Sequence, residues 1–174
     1  MQKTSIKKYM IAALVCVALL FLDQWTKQLA INYLLGGYDI TLIPGVLELH
    51  YLENTGAAFS IMENKTLFFC IITPVLCAFM IYLYAKLPEK REYNSLRIIL
   101  IFLVAGAVGN LIDRIWHHYV VDFIYFSLIN FPVFNVADIY VVVACFVFLL
   151  LVLFYYKEAD FEYLFPNKTK KTEK

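Results

Sequence analysis

Four apolar stretches leave this chain few ways to fold away from a lipid bilayer. Val136 to Tyr156 is 21 residues long and contains one charged side chain, Asp138. Leu67 to Tyr84 adds 18 residues with none, and Leu96 to Ile112 adds 17 with Arg97 near its start. Tyr9 to Leu22 is shorter, but helix-compatible residues continue through Asp23 to Leu35. An α-helix rises about 1.5 Å per residue, so such runs reach roughly 27 Å, close to the hydrocarbon thickness of a bilayer. Pro74 lies inside the second run, where neighbouring helices can satisfy the carbonyl it frees. The chain is 62% hydrophobic with mean hydropathy +0.70, whereas a soluble domain is about 45–50% apolar.

Charge sets the orientation. Of the 15 lysines and arginines, twelve fall in three places. These are the start (Lys3, Lys7, Lys8), the link between the second and third runs (Lys86, Lys90, Arg91, Arg97) and the end (Lys157, Lys168, Lys170, Lys171, Lys174). The links 36–66 and 113–135 hold only Lys65 and Arg114, and Lys27 lies in the extended first run. The positive-inside rule predicts both termini in the cytoplasm and those two links outside, which four spans satisfy. One integral membrane domain, 1–174, is expected, with spans of about 9–35, 67–84, 96–112 and 136–156 and a basic cytoplasmic tail, 157–174. The tail is attracted to anionic inner-leaflet lipid. The first 22 residues have a basic start and an apolar core, but bulky Leu20-Phe21-Leu22-Asp23 offers no cleavage site. They read as an uncleaved first span.

The outer links carry structure of their own. Leu47, Leu49 and Tyr51 alternate with Glu48, His50 and Leu52, a strand pattern flanked by the turn signals Gly36-Gly37 and Pro44-Gly45. The expected fold is therefore membrane all-α with a small β element: four transmembrane helices and a small extracytoplasmic antiparallel sheet. Ala57 to Met62 is compatible with one or two helical turns. A net charge of +1 gives no nucleic-acid signal. Cys16, Cys70, Cys77 and Cys145 lie in apolar runs without paired spacing and read as free, packed thiols.

With this orientation, unusual polar residues from five segments fall at one level. Asp23 ends up at the outer end of the first span, Asn110, Asp113 and Arg114 at that of the third, and Asn135 and Asp138 at that of the fourth. Asn54 and Asp122 lie in the outer links. Each has a bland alternative. Asp23 could be an interfacial residue paired with Lys27 one turn on. Asp113 and Arg114 could form a structural ion pair or end a helix. Asn110 could bond a neighbouring helix, and Asn135 could cap the fourth span and orient Asp138. Gly106 and Gly109 suit close helix packing. His117 and His118 have no third ligand spaced beside them and read as a solvated turn.

Asp122 and Asp138 are harder to explain away. Carboxylates near hydrocarbon are costly and usually mark function. Neither has a cation within a helical turn in sequence. Two such groups, if they meet, can share a proton, which leaves one ionised as general base and one protonated as general acid. That pairing suits water attack on an amide. No GxSxG elbow, HExxH or phosphate loop is present, and no cofactor or metal is expected.

Five blocks in order then bring a family into view: Asp23-Gln24-Trp25-Thr26-Lys27, Asn54-Thr55-Gly56-Ala57-Ala58-Phe59, Gly109-Asn110-Leu111-Ile112-Asp113-Arg114, Val120-Val121-Asp122-Phe123 and Phe134-Asn135-Val136-Ala137-Asp138. The chain resembles the lipoprotein signal peptidases, or signal peptidase II, of the bacterial inner membrane. The resemblance implies four spans, an extracytoplasmic sheet and a mobile short helix over the site. It implies an aspartyl endopeptidase that removes the signal peptide of prolipoproteins just before a diacylglyceryl-modified cysteine. Asp122 and Asp138 would be the catalytic pair. Asn54, Asn110, Arg114 and Asn135 would hold the substrate backbone or orient the pair, with Asp23 and Asp113 in support. Ile139 departs from the family, which usually has a small residue there. The expected partners are diacylglyceryl-modified prolipoproteins and membrane lipid, with no nucleic acid and no obligate protein partner. Two other classes compete: a small proton- or ion-coupled transporter using the same aspartates, and a non-enzymatic subunit whose polar cluster binds another chain.

Overall fold

The computed structural model describes residues 6–56, 66–157 and 160. Four long helices carry the fold: α1 (Ile6–Leu34), α2 (Thr66–Lys86), α3 (Asn94–His117) and α4 (Val136–Phe154). A three-stranded antiparallel sheet, β1 (Ile40–Ile43), β2 (Leu47–Asn54) and β3 (Val120–Tyr125), lies in the order β1-β2-β3. Thr66–Lys86, Arg91–His117 and Val136–Phe154 are long and apolar enough to cross a membrane.

The helices alternate in direction. At one end of the bundle Lys8 meets Glu89 at 3.6 Å, and the Tyr93 and Tyr156 rings stack with centroids 6.2 Å apart. At the other end Thr66 Oγ1 donates to the His118 carbonyl at 3.0 Å. The polar residues and the sheet gather at this second end. The helix α3 is central and packs on α1, α2 and α4. Its glycines make that possible: a Cβ on Gly106 would stand 2.5 Å from the Ala137 carbonyl oxygen, which is close packing of α3 on α4.

Burial along α1 falls on one stripe, Asp23, Lys27, Ala30 and Leu34, at helical spacing. Its upper half is apolar and packs against Val121 and Phe123 of β3. Its lower half is charged. On α3 the last turn ends at His118, whose left-handed backbone (φ 68°) and N–H to the Arg114 carbonyl cap the helix. The two histidines thus close a helix end.

The sheet is larger than the alternation in 47–52 predicts. The β1–β2 hairpin turns through Gly45 at φ +69°, where glycine has no Cβ to strain. The third strand, β3, comes from the other outer link. Val120–Tyr125 is rich in β-branched and aromatic residues, which suit a strand, but one buried aspartate hides the pattern. It pairs with β2 so that Leu52 stands opposite Asp122 and Asn54 opposite Val120. The Phe134 carbonyl accepts from the N–H groups of Phe123 and Ile124, at 3.0 and 2.8 Å, and clips the approach to α4 against β3. The expected turns at 57–62 and most of the basic tail lie outside the described residues.

Candidate active site

Two carboxyl groups and three side-chain amides form the centre of the polar end. Asp122 projects from β3 and is 1% exposed. Asp138 is in the first turn of α4. The sequence builds that turn locally: Asn135 caps the helix, its Oδ1 accepting from Asp138 N at 3.0 Å, while Asp138 Oδ2 accepts from Asn135 N at 3.1 Å. This reciprocal capping box predisposes Asp138 to point back towards residue 135.

Every carboxylate oxygen of the pair faces an N–H donor. Asp122 Oδ1 receives Asn135 Nδ2 at 2.6 Å, and Oδ2 receives Asn54 Nδ2 at 2.8 Å. Asp138 Oδ1 receives Asn110 Nδ2 at 2.7 Å, in addition to the backbone contact on Oδ2. Asn135 Nδ2 also donates to Asn110 Oδ1 at 3.1 Å and so links the two halves. Burial, and the like charge of Asp138, push the Asp122 carboxyl up to about 7 despite the amide donors and Lys27, which act the other way. The protonated form of Asp122 therefore remains populated up to about neutral pH, as a shared-proton dyad requires.

Arg114 borders the pair. It donates to the Asn110 carbonyl at 3.2 Å and the Gly56 carbonyl at 3.1 Å, and its guanidinium lies 4.6 Å from the Phe69 ring centroid. It does not pair with its neighbour Asp113, because adjacent residues on a helix point about 100° apart.

Asp113 instead joins a second layer beneath the pair. Lys27 Nζ contacts Asp23 Oδ2 and Asp113 Oδ2, each at 3.0 Å, and Asn110 Oδ1 at 2.9 Å. Gln24 Nε2 donates to Asp113 Oδ1 at 2.9 Å and reaches Asp23 Oδ2 at 3.1 Å. Both carboxylates also hold backbone: Asp23 Oδ1, the oxygen that Lys27 leaves free, takes Ala137 N at 2.9 Å, and Asp113 Oδ2, shared with Lys27, takes Val121 N at 3.1 Å. The layer ties α1 to α3 and to the two segments that carry Asp122 and Asp138.

All eight predicted residues thus meet in one network. The i, i+4 spacing pairs Lys27 with Asp23 but points to neither Asn110 nor Asp113, and no local spacing singles out Gln24. Lys27 stands one helical turn from Asp23 on the same face and Gln24 is the next residue along; their place in the Asp23-Gln24-Trp25-Thr26-Lys27 block is the signal that marks them both.

A cleft of about 530 Å³ opens on the pair. Asn54, Asn110, Arg114, Asp122 and Asp138 line its polar end, and Phe69, Ala107, Phe131, Ile139 and Val142 are among its apolar walls. Such a cavity can take a polar chain and an apolar group together.

The family model described as signal peptidase (SPase) II matches residues 15–154. The lipoprotein signal peptidase of Caldanaerobacter subterraneus subsp. tengcongensis is 47% identical over 144 residues, spanning 82% of this chain and 96% of that protein. That of Enterococcus faecalis is 42% identical over 141 residues, spanning 79% and 86%. A solved structure described as a bacterial membrane enzyme superposes with a TM-score of 0.71 at 30% identity, covering 94% of this chain and 93% of the other.

Proposed function

The chain belongs to the signal peptidase II family, and on that footing we propose that Asp122 and Asp138 are the catalytic dyad. It is an aspartic-type protease of a bacterial membrane and it removes the signal peptides of prolipoproteins. We place the cut immediately before a cysteine that carries diacylglycerol. The observation that carries this reading is the convergence of the two carboxyl groups on one amide network at the polar end of an apolar cleft.

The chemistry follows from the two environments. Asp122 is the buried carboxyl raised to about 7, and it holds the proton at rest. Asp138 faces the N–H groups of a helix N-terminus, where negative charge is favoured. Asp138 takes a proton from water, whose oxygen attacks the scissile carbonyl carbon. Asp122 donates its proton to the carbonyl oxygen as that charge develops. Collapse of the tetrahedral intermediate breaks the C–N bond: the proton gained by Asp138 passes to the leaving amine, and one hydroxyl of the intermediate returns its proton to Asp122 as the new carboxyl forms. Asn54 and Arg114 lie where substrate backbone would pass, and the apolar walls suit the acyl chains.

We take α1 as a fourth span, with both termini cytoplasmic, the sheet outside and the dyad at the outer boundary of the inner membrane. A lipid-anchored cysteine is held at that depth, so anchoring supplies orientation that a soluble protease must gain through contacts. No obligate protein partner is required. The transporter reading finds no support in the relatives, and the acidic residues of α2, α3 and α4, Asp113 and Asp138, both lie at the polar end, so none continues a path towards the other.

The test is cleavage of a diacylglyceryl-modified peptide by purified protein in detergent. Asp122→Asn and Asp138→Asn should each abolish cleavage and leave the protein folded and membrane-inserted. Cleavage persisting in either variant removes the dyad assignment, and loss of activity on adding a chelator points to a metal mechanism instead. An unlipidated peptide should be a poor substrate.

A further inference from the structure

The three asparagines around the dyad must all present NH2, not C=O, to a carboxylate. A side-chain amide is nearly symmetric in shape, so something has to choose its orientation. For Asn54 the choice is made by the Gly56 N–H, which donates to Oδ1 at 3.0 Å. For Asn135 it is made by the Asp138 N–H, also at 3.0 Å. Both are backbone donors that cannot accept. Among the described residues Asn110 has no backbone donor on its Oδ1. It has Lys27 Nζ at 2.9 Å, assisted by Asn135 Nδ2 at 3.1 Å.

We propose that Lys27 is a positioning residue for the reaction: its ammonium fixes the Asn110 amide with the NH2 towards Asp138. This rests on the reading of Asp122 and Asp138 as the dyad. An ammonium has three donors and no acceptor. A flipped Asn110 would turn its NH2 onto that ammonium and its carbonyl onto Asp138 Oδ1, and both contacts would be repulsive. Lys27 is 2% exposed, and its three N–H bonds are taken by Asp23, Asp113 and Asn110. Neutralising buried carboxylates uses two of them. The third reaches the dyad's own ligand.

A purely structural role predicts something different, and a cycle of variants separates the two. Lys27→Met strands two buried carboxylates and is expected to lower thermal stability. Lys27→Met combined with Asp113→Asn leaves Asp23 as the one charge of the layer, so the stability cost of losing Lys27 shrinks when measured against Asp113→Asn alone. If Lys27 positions Asn110, kcat still falls about 100-fold relative to Asp113→Asn, the scale expected for a misplaced catalytic group. KM for the lipidated peptide stays within about twofold. Recovery of kcat in step with stability, or a rise in KM at unchanged kcat, overturns the proposal. Asp122→Asn and Asp138→Asn belong in the same assay. If either cleaves, the dyad reading fails and takes this inference with it. If both are inactive while Lys27→Met keeps wild-type kcat, only the positioning role fails.

Discussion

A Cβ added to Gly109 would stand 2.6 Å from Asp23 Oδ2 and 3.3 Å from the Ala137 Cβ. Three helices therefore meet at residue 109 because it has no side chain, and the buried charged layer occupies the space so left. On an isolated helix, alanine would be favoured over glycine by about 1 kcal/mol. Here the clash is with a carboxylate held by Lys27 and by the Ala137 N–H, which cannot retreat freely. Gly109→Ala should thus lower stability by roughly 1–3 kcal/mol and reduce cleavage. Thermal unfolding in detergent checks the sign; a more stable Gly109→Ala protein would mean that the helices yield.

The raised Asp122 carboxyl couples stability to pH. Its folded value, about 7, lies above the ordinary 3.8, so between those two pH values the folded protein binds more protons than the unfolded chain. Stability should fall as pH rises through that window and level off above about 7. Asp122→Asn removes the titration. Its melting temperature should vary less across pH 5 to 8.5 than that of wild type and exceed it at the alkaline end, even though the variant is expected not to cleave. Wild-type kcat/KM should decline above neutrality as the shared proton is lost. A melting temperature that rises with pH in wild type alone would contradict the assignment.

Asn135 has two separable duties. As N-cap its loss costs about 1 kcal/mol, and as a donor it serves Asp122 and Asn110. Asn135→Asp keeps a good cap but replaces NH2 with an acceptor, whereas Asn135→Ala loses both. The aspartate variant should melt closer to wild type than the alanine variant, with kcat reduced about 100-fold or more in each. Substantial activity in Asn135→Asp would show that the cap alone matters.

Ile139 follows Asp138, is 38% exposed and lines the cleft. A larger side chain there should obstruct the substrate while leaving the packed interior alone. Ile139→Trp is expected to raise KM for the lipidated peptide about tenfold, the equivalent of about 1.4 kcal/mol of lost binding, with melting temperature nearly unchanged. Equal KM values would place the acyl chains elsewhere.

Much of the site was legible one segment at a time. The Asn135 cap needs only residues three apart, and the structure contains it as expected. The stripe of Gly106 and Gly109 reads as close packing, and close packing is found. The adjacent Asp113 and Arg114 suggested a pair that does not form, since a helix turns one away from the other. Lys27 was legible as the i, i+4 neighbour of Asp23, but its contacts to Asn110 and Asp113 span 83 residues or more, beyond any local pattern. Strand β3 was hidden because its buried aspartate breaks the run that marks a strand.

The amino-acid sequence by itself determined the apolar helices, the level at which the polar residues collect and the family, because hydropathy, charge asymmetry and ordered motifs are properties of the linear chain. Tertiary structure alone decided that Asp122 meets Asn54 across a β2–β3 pairing, that Asp138 meets Asn110 across α3 and α4, and that one buried lysine stands beneath both. Those contacts depend on register and on helix rotation. A small shift in either would leave every local pattern intact and separate the carboxyl groups.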